Sequence, residues 1–410
     1  MNLRGMSLRE VGQVTGFSYG YLGRIGRGAQ TATREVAERC DKALDADGAL
    51  IRAWYAGNGL VRPRQLPPAP PRLVGRAREL ADLDEVITER APGTPAIVVI
   101  DGPAGAGKTA LALYWVHRAA ERFVDGHLYV DLRGFSATGP ATPRDVLESM
   151  CIALDAPHLP DGLEQRTALF RSLLRDRRML ILLDNAAGAE QIEPLLPAAK
   201  SCAVVVTSRR VLSRFATHYD GRRITLGAIP DTDAVSLVRH SIGPRRVEAE
   251  PDAVRNLTHL CGNLPLALAA AADLVAIYPH RDVADLAAEL VDVDTRLDLL
   301  DTHQRTLRDV LSWSVTALPP HAARTFTLMG LHDTPLISPA AITAMTGGTP
   351  SDTRLALRHL ALLHLIEMPS AHVISLHELV WAYAQVLTTE LDHDDRTAAI
   401  ERLESWRRQV

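Results

Sequence analysis

Residues 102–109, GPAGAGKT, match every fixed position of the pattern G-x-x-x-x-G-K-[ST]. Glycines in such a loop let backbone N–H groups turn towards a phosphate, because a Cβ would prevent close approach. A helix starting near Gly107 would add unpaired N–H groups and the positive end of its dipole. Lys108 would bind the β- and γ-phosphates, and the Thr109 hydroxyl would bind Mg²⁺. The residues predicted to hold a nucleotide here are Gly102, Gly105, Ala106, Gly107, Lys108, Thr109 and Ala110.

The alternative is a strand-to-helix turn rich in Gly and Ala that matches by chance, in a chain with 27 glycines. The lysine content argues against it. Lysine occurs only at positions 42, 108 and 200, whereas arginine is abundant. A chain with so few lysines has kept one where a compact ammonium group suits a phosphate. We therefore interpret the segment as a phosphate-binding loop.

The composition is that of a globular protein, and 410 residues are enough for roughly two to four domains. A net charge of −4 gives no overall attraction to nucleic acid or anionic lipid, so such binding has to be local. The N-terminus lacks the apolar segment of a signal peptide, and no apolar run is long enough to span a bilayer. Four widely spaced cysteines suggest buried thiols in a reducing compartment. These features predict a cytoplasmic protein with no membrane partner.

A proline-rich segment, residues 62–72, separates a small N-terminal module from the rest of the chain and predicts an extended spacer. Beyond it, apolar strand-like runs alternate with helical stretches. The strand-like runs are residues 96–101, 127–132, 179–184, 202–208 and 223–227. Most are apolar on both faces, which indicates buried parallel strands. The alternation predicts an α/β nucleotide-binding domain over residues 73–229, with its ligand at the carboxyl ends of the strands.

The remainder is predicted to be mainly helical. We expect an all-α helical domain over residues 230–302. Over residues 303–391, three helices followed by a short pair of strands and a last helix predict a winged-helix domain. A final helix over residues 392–410 is expected to be a C-terminal helix that could begin a sensor region.

The N-terminal module, residues 1–61, is predicted to be all-α, with a turn at Gly16 and Ser18 as the N-cap of the second helix. Its apolar stripe is expected to include Leu8, Val11 and Val14. Residues 1–66 hold ten Arg and Lys against six Asp and Glu, so the module is locally basic. It resembles the helix-turn-helix of the Cro/repressor type, in which the second helix enters the major groove. The resemblance implies DNA contacts from Ser18, Tyr19, Tyr21, Arg24 and Arg27.

This module departs from that family at one end. The family has a helix before the first of these two helices, and only about five residues precede it here. Either the true start lies upstream or the module is incomplete. The alternative function for the module is a helical adaptor that binds another protein.

Besides the phosphate-binding loop, five motifs in order over roughly residues 73–390 resemble the NB-ARC family of signal-transduction ATPases: LVGRAREL, RMLILLDN, VVVTSRR, CGNLPLAL and SLHELVWAYA. The resemblance implies that Asp184 binds Mg²⁺ beside Thr109, and that Arg209 contacts the γ-phosphate. It implies catalytic roles for Lys108, Asp184 and Arg209. The implied base and phosphate contacts come from Val74, Gly75, Arg76, Pro265 and His377, the last to the β-phosphate of ADP.

Asn185 occupies the position at which many relatives carry a second acid that activates the attacking water. Asparagine cannot take up a proton at neutral pH. Glu378 and Asp131 are alternatives that the sequence does not place. We therefore expect ADP or ATP with Mg²⁺ to act as a switch, with at most slow ATP hydrolysis. The leading hypothesis is an ATP/ADP-dependent regulator of transcription that binds DNA and self-associates when activated. The other is a defence or scaffold ATPase whose N-terminal module recruits a protein.

Overall fold

The computed structural model describes residues 6–58, 62–88, 94–300 and 307–409. The N-terminal module consists of short helices joined by tight turns: α1 (Leu8–Thr15), α2 (Tyr19–Gly26), α3 (Arg34–Leu44) and α4 (Ala49–Gly57). Ser18 caps α2 as predicted, since its hydroxyl accepts a hydrogen bond from the Tyr21 N–H at 3.2 Å. Val11, Leu22 and Val36 form the small core between the helices.

The apolar stripe of α1 was predicted wrongly at two positions. Leu8 is 45% exposed and Val14 is 65% exposed. The buried face instead follows Val11, Gly12 and Thr15. A Cβ at position 12 would lie 2.7 Å from the Phe17 carbonyl oxygen, so glycine lets the turn after α1 pack against the helix. Leu8 and Val14 therefore lie outside the buried face of α1.

The middle of the chain is a parallel sheet between helices, as the sequence predicted. The strands are β1 (Ala96–Asp101), β2 (Gly126–Asp131), β3 (Met179–Ala186), β4 (Ala203–Ser208) and β5 (Arg222–Thr225). Their order is β2-β3-β4-β1-β5. The helices around them are α5 (Ala77–Thr88), α6 (Lys108–Ala119), α7 (Pro143–Ala153), α8 (Leu163–Leu174), α9 (Ala189–Ile192) and α10 (Ser213–His218). Two 3₁₀ turns follow α6 and α9, at Ala120–Arg122 and Glu193–Leu195.

The sheet brings polar residues together at one edge. β1 and β4 are buried along their whole length, and each ends in a buried polar residue, Asp101 and Ser208. In the ladder between β2 and β3, Asp131 pairs with Asp184. Because all five strands are parallel, these residues converge at the carboxyl edge, where α/β sheets bind their ligands.

The proline-rich segment is extended as predicted, but it lies against the sheet rather than standing free. Arg64 forms a parallel bridge with His127 of β2. The His127 N–H donates to the Pro63 carbonyl at 2.8 Å, and its carbonyl accepts from the Gln65 N–H at 3.2 Å. The segment thus extends the sheet beyond β2.

The next helices match the predicted all-α region: α11 (Asp231–Ile242), α12 (Pro244–Ala249), α13 (Pro251–Leu260), α14 (Pro265–Ile277), α15 (Val283–Glu289) and α16 (Val293–Leu299). They pack on one face of the sheet and share a continuous core with it. The second face is covered by α7 and α8 around Phe170 and Leu174. Cys40, Cys151, Cys202 and Cys261 are buried free thiols, as predicted.

The C-terminal part contains α17 (Leu307–Thr316), α18 (Pro320–Met329), β6 (Leu336–Ile337), α19 (Pro339–Thr346), α20 (Pro350–Leu362), β7 (Glu367–Ser370), β8 (Val373–Ser375), α21 (Glu378–Leu387) and α22 (His393–Arg407). The hairpin of β7 and β8 was predicted after three helices, but four precede it in this part, α17 to α20, and β6 adds a strand that the sequence did not reveal. Throughout the described ranges, every helix is too short or too polar to cross a bilayer.

Candidate nucleotide-binding site

The phosphate-binding loop connects β1 to α6. Gly105 and Gly107 have φ values of 81° and 88°, in the left-handed region that glycine adopts at no steric cost. No side chain in the described part of the chain caps the N-terminus of α6, so its first N–H groups face the loop. The Lys108 ammonium donates to the carbonyls of Gly102 at 2.9 Å and Pro103 at 2.7 Å. The lysine therefore lies folded against the loop that would surround a phosphate.

Burial, together with the positive charge of Arg209, lowers the pKa of Lys108 to about 7. Desolvation disfavours the charged amine because only carbonyl dipoles and distant carboxylates compensate for lost water. A bound phosphate would reverse this balance by placing negative charge at the ammonium group. The loop therefore has a strong electrostatic preference for an anion.

Three hydroxyl or carboxylate groups meet beside the loop. Asp184 Oδ1 accepts hydrogen bonds from Thr109 Oγ1 at 2.8 Å and from Thr207 Oγ1 at 2.5 Å. Burial raises the pKa of Asp184, although both hydroxyl bonds oppose the change. The predicted metal ligands, Thr109 and Asp184, are thus brought together by α6 and β3.

These residues fit Mg²⁺ rather than a metal held by protein alone. Mg²⁺ prefers oxygen ligands, and it commonly takes one or two protein side chains together with substrate phosphates and water. Among the residues that the structure describes, no group of three or more His, Cys, Asp or Glu could hold a metal ion. Thr109 and Asp184 would supply the protein ligands, and the nucleotide would supply the others.

A cleft of about 480 Å³ opens over the loop. Its described lining residues are Gly105, Gly107, Lys108, Thr109, Ala110, Asp131, Phe135, Ser136, Asp184, Asn185, Thr207, Ser208, Arg209, Pro265, Leu266, Val310 and Trp313. The structure therefore gathers most of the predicted nucleotide and metal ligands around one cavity. The walls come from the sheet edge, the start of α14, and α17.

Arg209 is held by α17 across this cleft. Its guanidinium donates to the Val310 carbonyl at 2.5 Å and to Ser314 Oγ at 3.4 Å. The Phe135 and Trp313 rings lie 5.3 Å and 5.5 Å from the guanidinium carbon, within cation–π range. The residue predicted to contact a γ-phosphate therefore also connects the sheet edge to the C-terminal part.

The predicted base-binding residues lie at different distances from the cleft. Pro265 lines it, and the neighbouring Leu266 N–H donates to the Gly105 carbonyl at 3.2 Å. Arg76 is buried, and it donates to the carbonyls of Ala106 at 3.0 Å and Gly227 at 2.6 Å. Arg76 thus supports the loop from behind. Val74 and Gly75 precede it and are absent from the described lining of the cleft.

His377 lies behind the cleft instead of facing it. Its Nε2 is 2.7 Å from the Gly262 carbonyl, and its Nδ1 accepts from the Leu379 N–H at 3.3 Å, which caps α21. Because Nδ1 accepts, Nε2 carries the proton in this arrangement. Burial lowers the pKa of His377 and favours the neutral ring. The predicted contact with a β-phosphate would require the ring to leave Gly262.

Sequence reasoning missed three residues of the site. Thr207 was visible as a polar residue inside a buried strand, a signal that could have identified it as a partner of Asp184. Phe135 and Trp313 gave no such signal, since aromatic residues in helices and loops are usually core residues. Their role beside Arg209 depends on contacts between segments that are far apart in the chain.

The predicted DNA-reading helix, α2, is largely exposed. Tyr19, Arg24 and Arg27 point to solvent, as does the Ser18 cap. Arg24 Nε lies 3.0 Å from Gln30 Oε1. Tyr21 is half-buried beside Phe17, with 5.8 Å between ring centroids, and its DNA contact stays a prediction. The same periodicity that put Tyr21 next to the DNA-reading positions also directs it towards the core.

The module packs on the sheet through α3 and α4, away from α2. Ile51 and Tyr55 bury Val124 at the start of β2. Arg34 forms an ion pair with Asp125 at 2.8 Å and donates to the Asp176 carbonyl at 3.0 Å. Asp125 is almost fully buried, so this ion pair is shielded from solvent.

Comparison with known proteins gives two matches to family models. Residues 72–361 match an AAA ATPase domain, and residues 2–54 match a helix-turn-helix domain. The regulatory protein AfsR of Streptomyces coelicolor is 36% identical over 385 residues, which cover 90% of this chain and 38% of AfsR. AfsR of Streptomyces griseus is 36% identical over 357 residues, with coverage of 86% and 36%. The chain therefore spans less than two fifths of these relatives.

Two solved structures are similar at low sequence identity. A Walker-type ATPase of Pyrococcus abyssi has a TM-score of 0.52 at 11% identity, and the match covers 80% of this chain and 99% of that one. This likeness concerns the fold alone. A signal-transduction ATPase with numerous domains and a tetratricopeptide repeat sensor, from Pyrococcus horikoshii, has a TM-score of 0.36 at 18% identity over 84% of this chain and 46% of that one. The second likeness is too weak to carry an argument.

Proposed function

This chain belongs to the AAA ATPase domain family and carries an N-terminal helix-turn-helix domain, and from that premise we propose that it is an ATP/ADP-dependent switch that regulates transcription. In this proposal the helix-turn-helix binds DNA, and the ATPase part is of the NB-ARC type with a winged-helix lid over residues 303–391. The relatives named as regulatory proteins support the transcriptional role.

One observation carries the proposal: Lys108, Thr109 and Asp184 converge on the phosphate-binding loop, in the same cleft as Arg209. The ammonium group, the hydroxyl and the carboxylate are the groups that a magnesium–nucleotide complex needs. Mg²⁺ bound there would neutralise charge on the phosphates. Lys108 would leave the loop carbonyls to bind the phosphates, and Pro265 would pack beside the base.

Arg209 supplies a reason for ATP and ADP to have different effects. A γ-phosphate at the carboxyl edge of the sheet would compete with the Val310 carbonyl for the guanidinium, because a phosphate is the stronger partner. ADP has no γ-phosphate and would leave Arg209 on α17. A ligand shifts a conformational equilibrium only by its difference in affinity for the two states, and this contact provides that difference.

Other contacts would hold the lid in the ADP state. The Val211 N–H donates to the Leu362 carbonyl at 2.8 Å, which joins β4 to the end of α20. His377 bonds the Gly262 carbonyl, and His364 approaches the buried Asp101 to 3.5 Å. When Arg209 is released from α17, the closed lid loses one of its contacts and is held only by the others. ATP would therefore favour opening of the lid and expose surfaces for self-association.

The helix-turn-helix would respond through assembly. A single module with few basic side chains should bind DNA weakly, because it neutralises few phosphates. Two modules joined by assembled ATPase domains would gain affinity through effective concentration, by roughly 10²–10⁴-fold. The exposed positions of Tyr19, Arg24 and Arg27 are compatible with DNA reading while α3 and α4 rest on the sheet.

The test is nucleotide binding by the purified chain and by Lys108→Ala. We expect the unaltered protein to retain ADP after purification, detected by denaturing it and running the supernatant on ion-pair chromatography. Lys108→Ala should carry none. Lys200→Ala is the matched control, since it removes another of the chain's three lysines outside the loop. An unaltered protein that neither carries nor binds ADP or ATP would overturn the proposal.

A further inference from the structure

Asp131 is the one acidic residue among the described lining residues of the cleft that the proposed switch does not use. It ends β2 and pairs with Asp184 in the parallel ladder, so the two carboxylates lie on neighbouring strands at the same level. Asp131 is exposed and lines the cleft that contains Lys108 and Thr109. Its Oδ1 accepts from the Arg133 N–H at 2.8 Å, which fixes the carboxylate at the end of the strand.

Asn185 holds the same carboxylate from the adjacent strand. Its Nδ2 lies 3.5 Å from Asp131 Oδ1. The Asn185 backbone has φ 58°, and the register between β3 and β4 shifts at this point. Asparagine tolerates the left-handed conformation better than most residues with side chains. The amide thus turns towards Asp131 from a bulge in β3.

Hydrogen bonds hold the bulge against the segment that follows β2. The Gly134 N–H donates to the Asn185 carbonyl at 2.6 Å, and the Asn185 N–H donates to Thr207 Oγ1 at 2.8 Å. A Cβ at position 134 would lie 2.3 Å from the Ala187 nitrogen, so the close approach depends on glycine. Backbone contacts therefore fix the relative positions of Asp131 and Asn185.

The acidic residues among the described lining residues of the cleft are Asp131 and Asp184, and no histidine or glutamate is among them. Asp184 is committed to the hydroxyls of Thr109 and Thr207. Glu378, the other candidate from the sequence, starts α21 and lies 3.9 Å from Arg296, outside this lining.

We propose that Asp131 is the catalytic base for ATP hydrolysis, with Asn185 holding its carboxylate in place. This inference rests on the proposed nucleotide site. A water oxygen would form a bond to the γ-phosphorus while the bond from that phosphorus to the β–γ bridging oxygen breaks. The bridging oxygen leaves with the bonding pair as part of ADP. Asp131 accepts the proton of the water and returns it to solvent after inorganic phosphate departs.

The assignment explains how a chain without a second acid after Asp184 would hydrolyse ATP. The base is supplied by the strand beside β3 instead of by β3 itself. A positioned general base typically contributes about 10²–10⁴-fold to a rate. Removing the carboxylate at position 131 should therefore lower turnover by at least about 10²-fold.

The experiment compares the unaltered full chain with Asp131→Asn, which preserves side-chain size, and with Glu378→Gln, which removes the competing acid. Single-turnover hydrolysis of radiolabelled ATP gives the rate, and equilibrium titrations give affinities for ADP and ATP. A third measurement is the affinity for ADP with aluminium fluoride, a mimic of the phosphoryl group under attack. We expect Asp131→Asn to bind ADP and ATP normally, to retain ATP after long incubation, to bind the mimic at least tenfold more weakly, and to turn over about 10²-fold more slowly.

The other outcomes separate this inference from the proposed function. Equal turnover by Asp131→Asn and the unaltered chain would overturn it, as would loss of turnover only in Glu378→Gln. Loss of ADP and ATP binding in Asp131→Asn would show a structural role and overturn it also. If the unaltered chain binds ATP but does not hydrolyse it, the assignment of Asp131 as catalytic base is overturned, while the proposed switch is not. Absence of nucleotide binding by the unaltered chain would overturn both.

Discussion

Arg34→Gln should release the helix-turn-helix module from the sheet. Two hydrogen bonds from the Arg34 guanidinium cross this interface, one to the nearly buried Asp125 carboxylate and one to the Asp176 carbonyl. Hydrogen bonds to charged groups contribute roughly 1.5–3 kcal/mol each. Asp125 keeps its bond from the Arg178 N–H at 2.6 Å after the substitution, which moderates the loss. We therefore expect the docked state to lose about 3 kcal/mol.

A loss of about 3 kcal/mol corresponds to roughly a 10²-fold shift of the docking equilibrium. Hydrogen–deuterium exchange measures that shift, because docking protects amides in residues 48–55 of the module and in residues 123–127 of the sheet. Arg39→Gln is the matched control on the same helix. Its ion pair with Glu35 is solvent-exposed and stays inside the module. Exchange in both segments should rise in Arg34→Gln and stay unchanged in Arg39→Gln.

Equal exchange in the two variants would refute the reasoning. It would mean that the apolar contact of Ile51 and Tyr55 with Val124 holds the module without help from the ion pair. Faster exchange throughout the module in Arg34→Gln would point to loss of its fold, because Arg34 also bonds Glu38 and the Tyr55 hydroxyl. Circular dichroism at the same temperature distinguishes the two results.

Three further predictions concern the nucleotide site and its lid. The pKa of Lys108 is lowered to about 7 in the free protein, and a bound phosphate would restore the charge of its amine. Above pH 7, nucleotide binding should therefore take up protons, and the affinity should fall as the pH rises. Calorimetry at pH 8.5 in buffers of different ionisation enthalpy checks this, and a binding heat independent of buffer would contradict it. His377→Ala should speed ADP release by about tenfold, because it leaves the Gly262 carbonyl unpaired in the closed state. Stopped-flow displacement of a fluorescent ADP measures this rate. An unchanged rate would show that His377 has no part in the switch. Trp313→Leu removes one of the two aromatic rings that contact Arg209, and each such contact contributes about 0.5–2 kcal/mol. The ratio of ATP affinity to ADP affinity should therefore rise. A constant ratio would show that the contacts of Arg209 do not control lid closure.

The architecture was predictable because its signals are local. Runs of apolar residues identified β1, β3 and β4, since strands buried on both faces lack polar positions. The glycines, Lys108 and Thr109 of the loop needed no tertiary information. The resemblance to the NB-ARC family implied that Asp184 lies beside Thr109, and their proximity follows from parallel strands that end at one edge.

The remaining features depend on contacts between distant segments. Nothing near Arg209 in sequence indicates that the Val310 carbonyl and Trp313 hold it. Asp131 and Asn185 lie close together because β2 pairs with β3 and because β3 contains a bulge, which no periodicity in the sequence reveals. The position of His377 on Gly262 likewise follows from packing of α21 against the helical region.

The central claim is that nucleotide state controls DNA binding, and fluorescence anisotropy tests it most directly. Labelled fragments of a genomic library are titrated with the full chain, in ADP and in a non-hydrolysable ATP analogue, at two salt concentrations. Arg24→Ala reports on the DNA-reading helix, and Arg175→Ala, far along the chain from that helix, is its control.

We predict tighter binding with the ATP analogue than with ADP, weaker binding at higher salt, and a loss of affinity in Arg24→Ala but not in the control. Equal affinity in both nucleotide states would contradict the switch. Absence of salt-sensitive binding in either state would contradict DNA binding itself and favour recruitment of a protein by the N-terminal module.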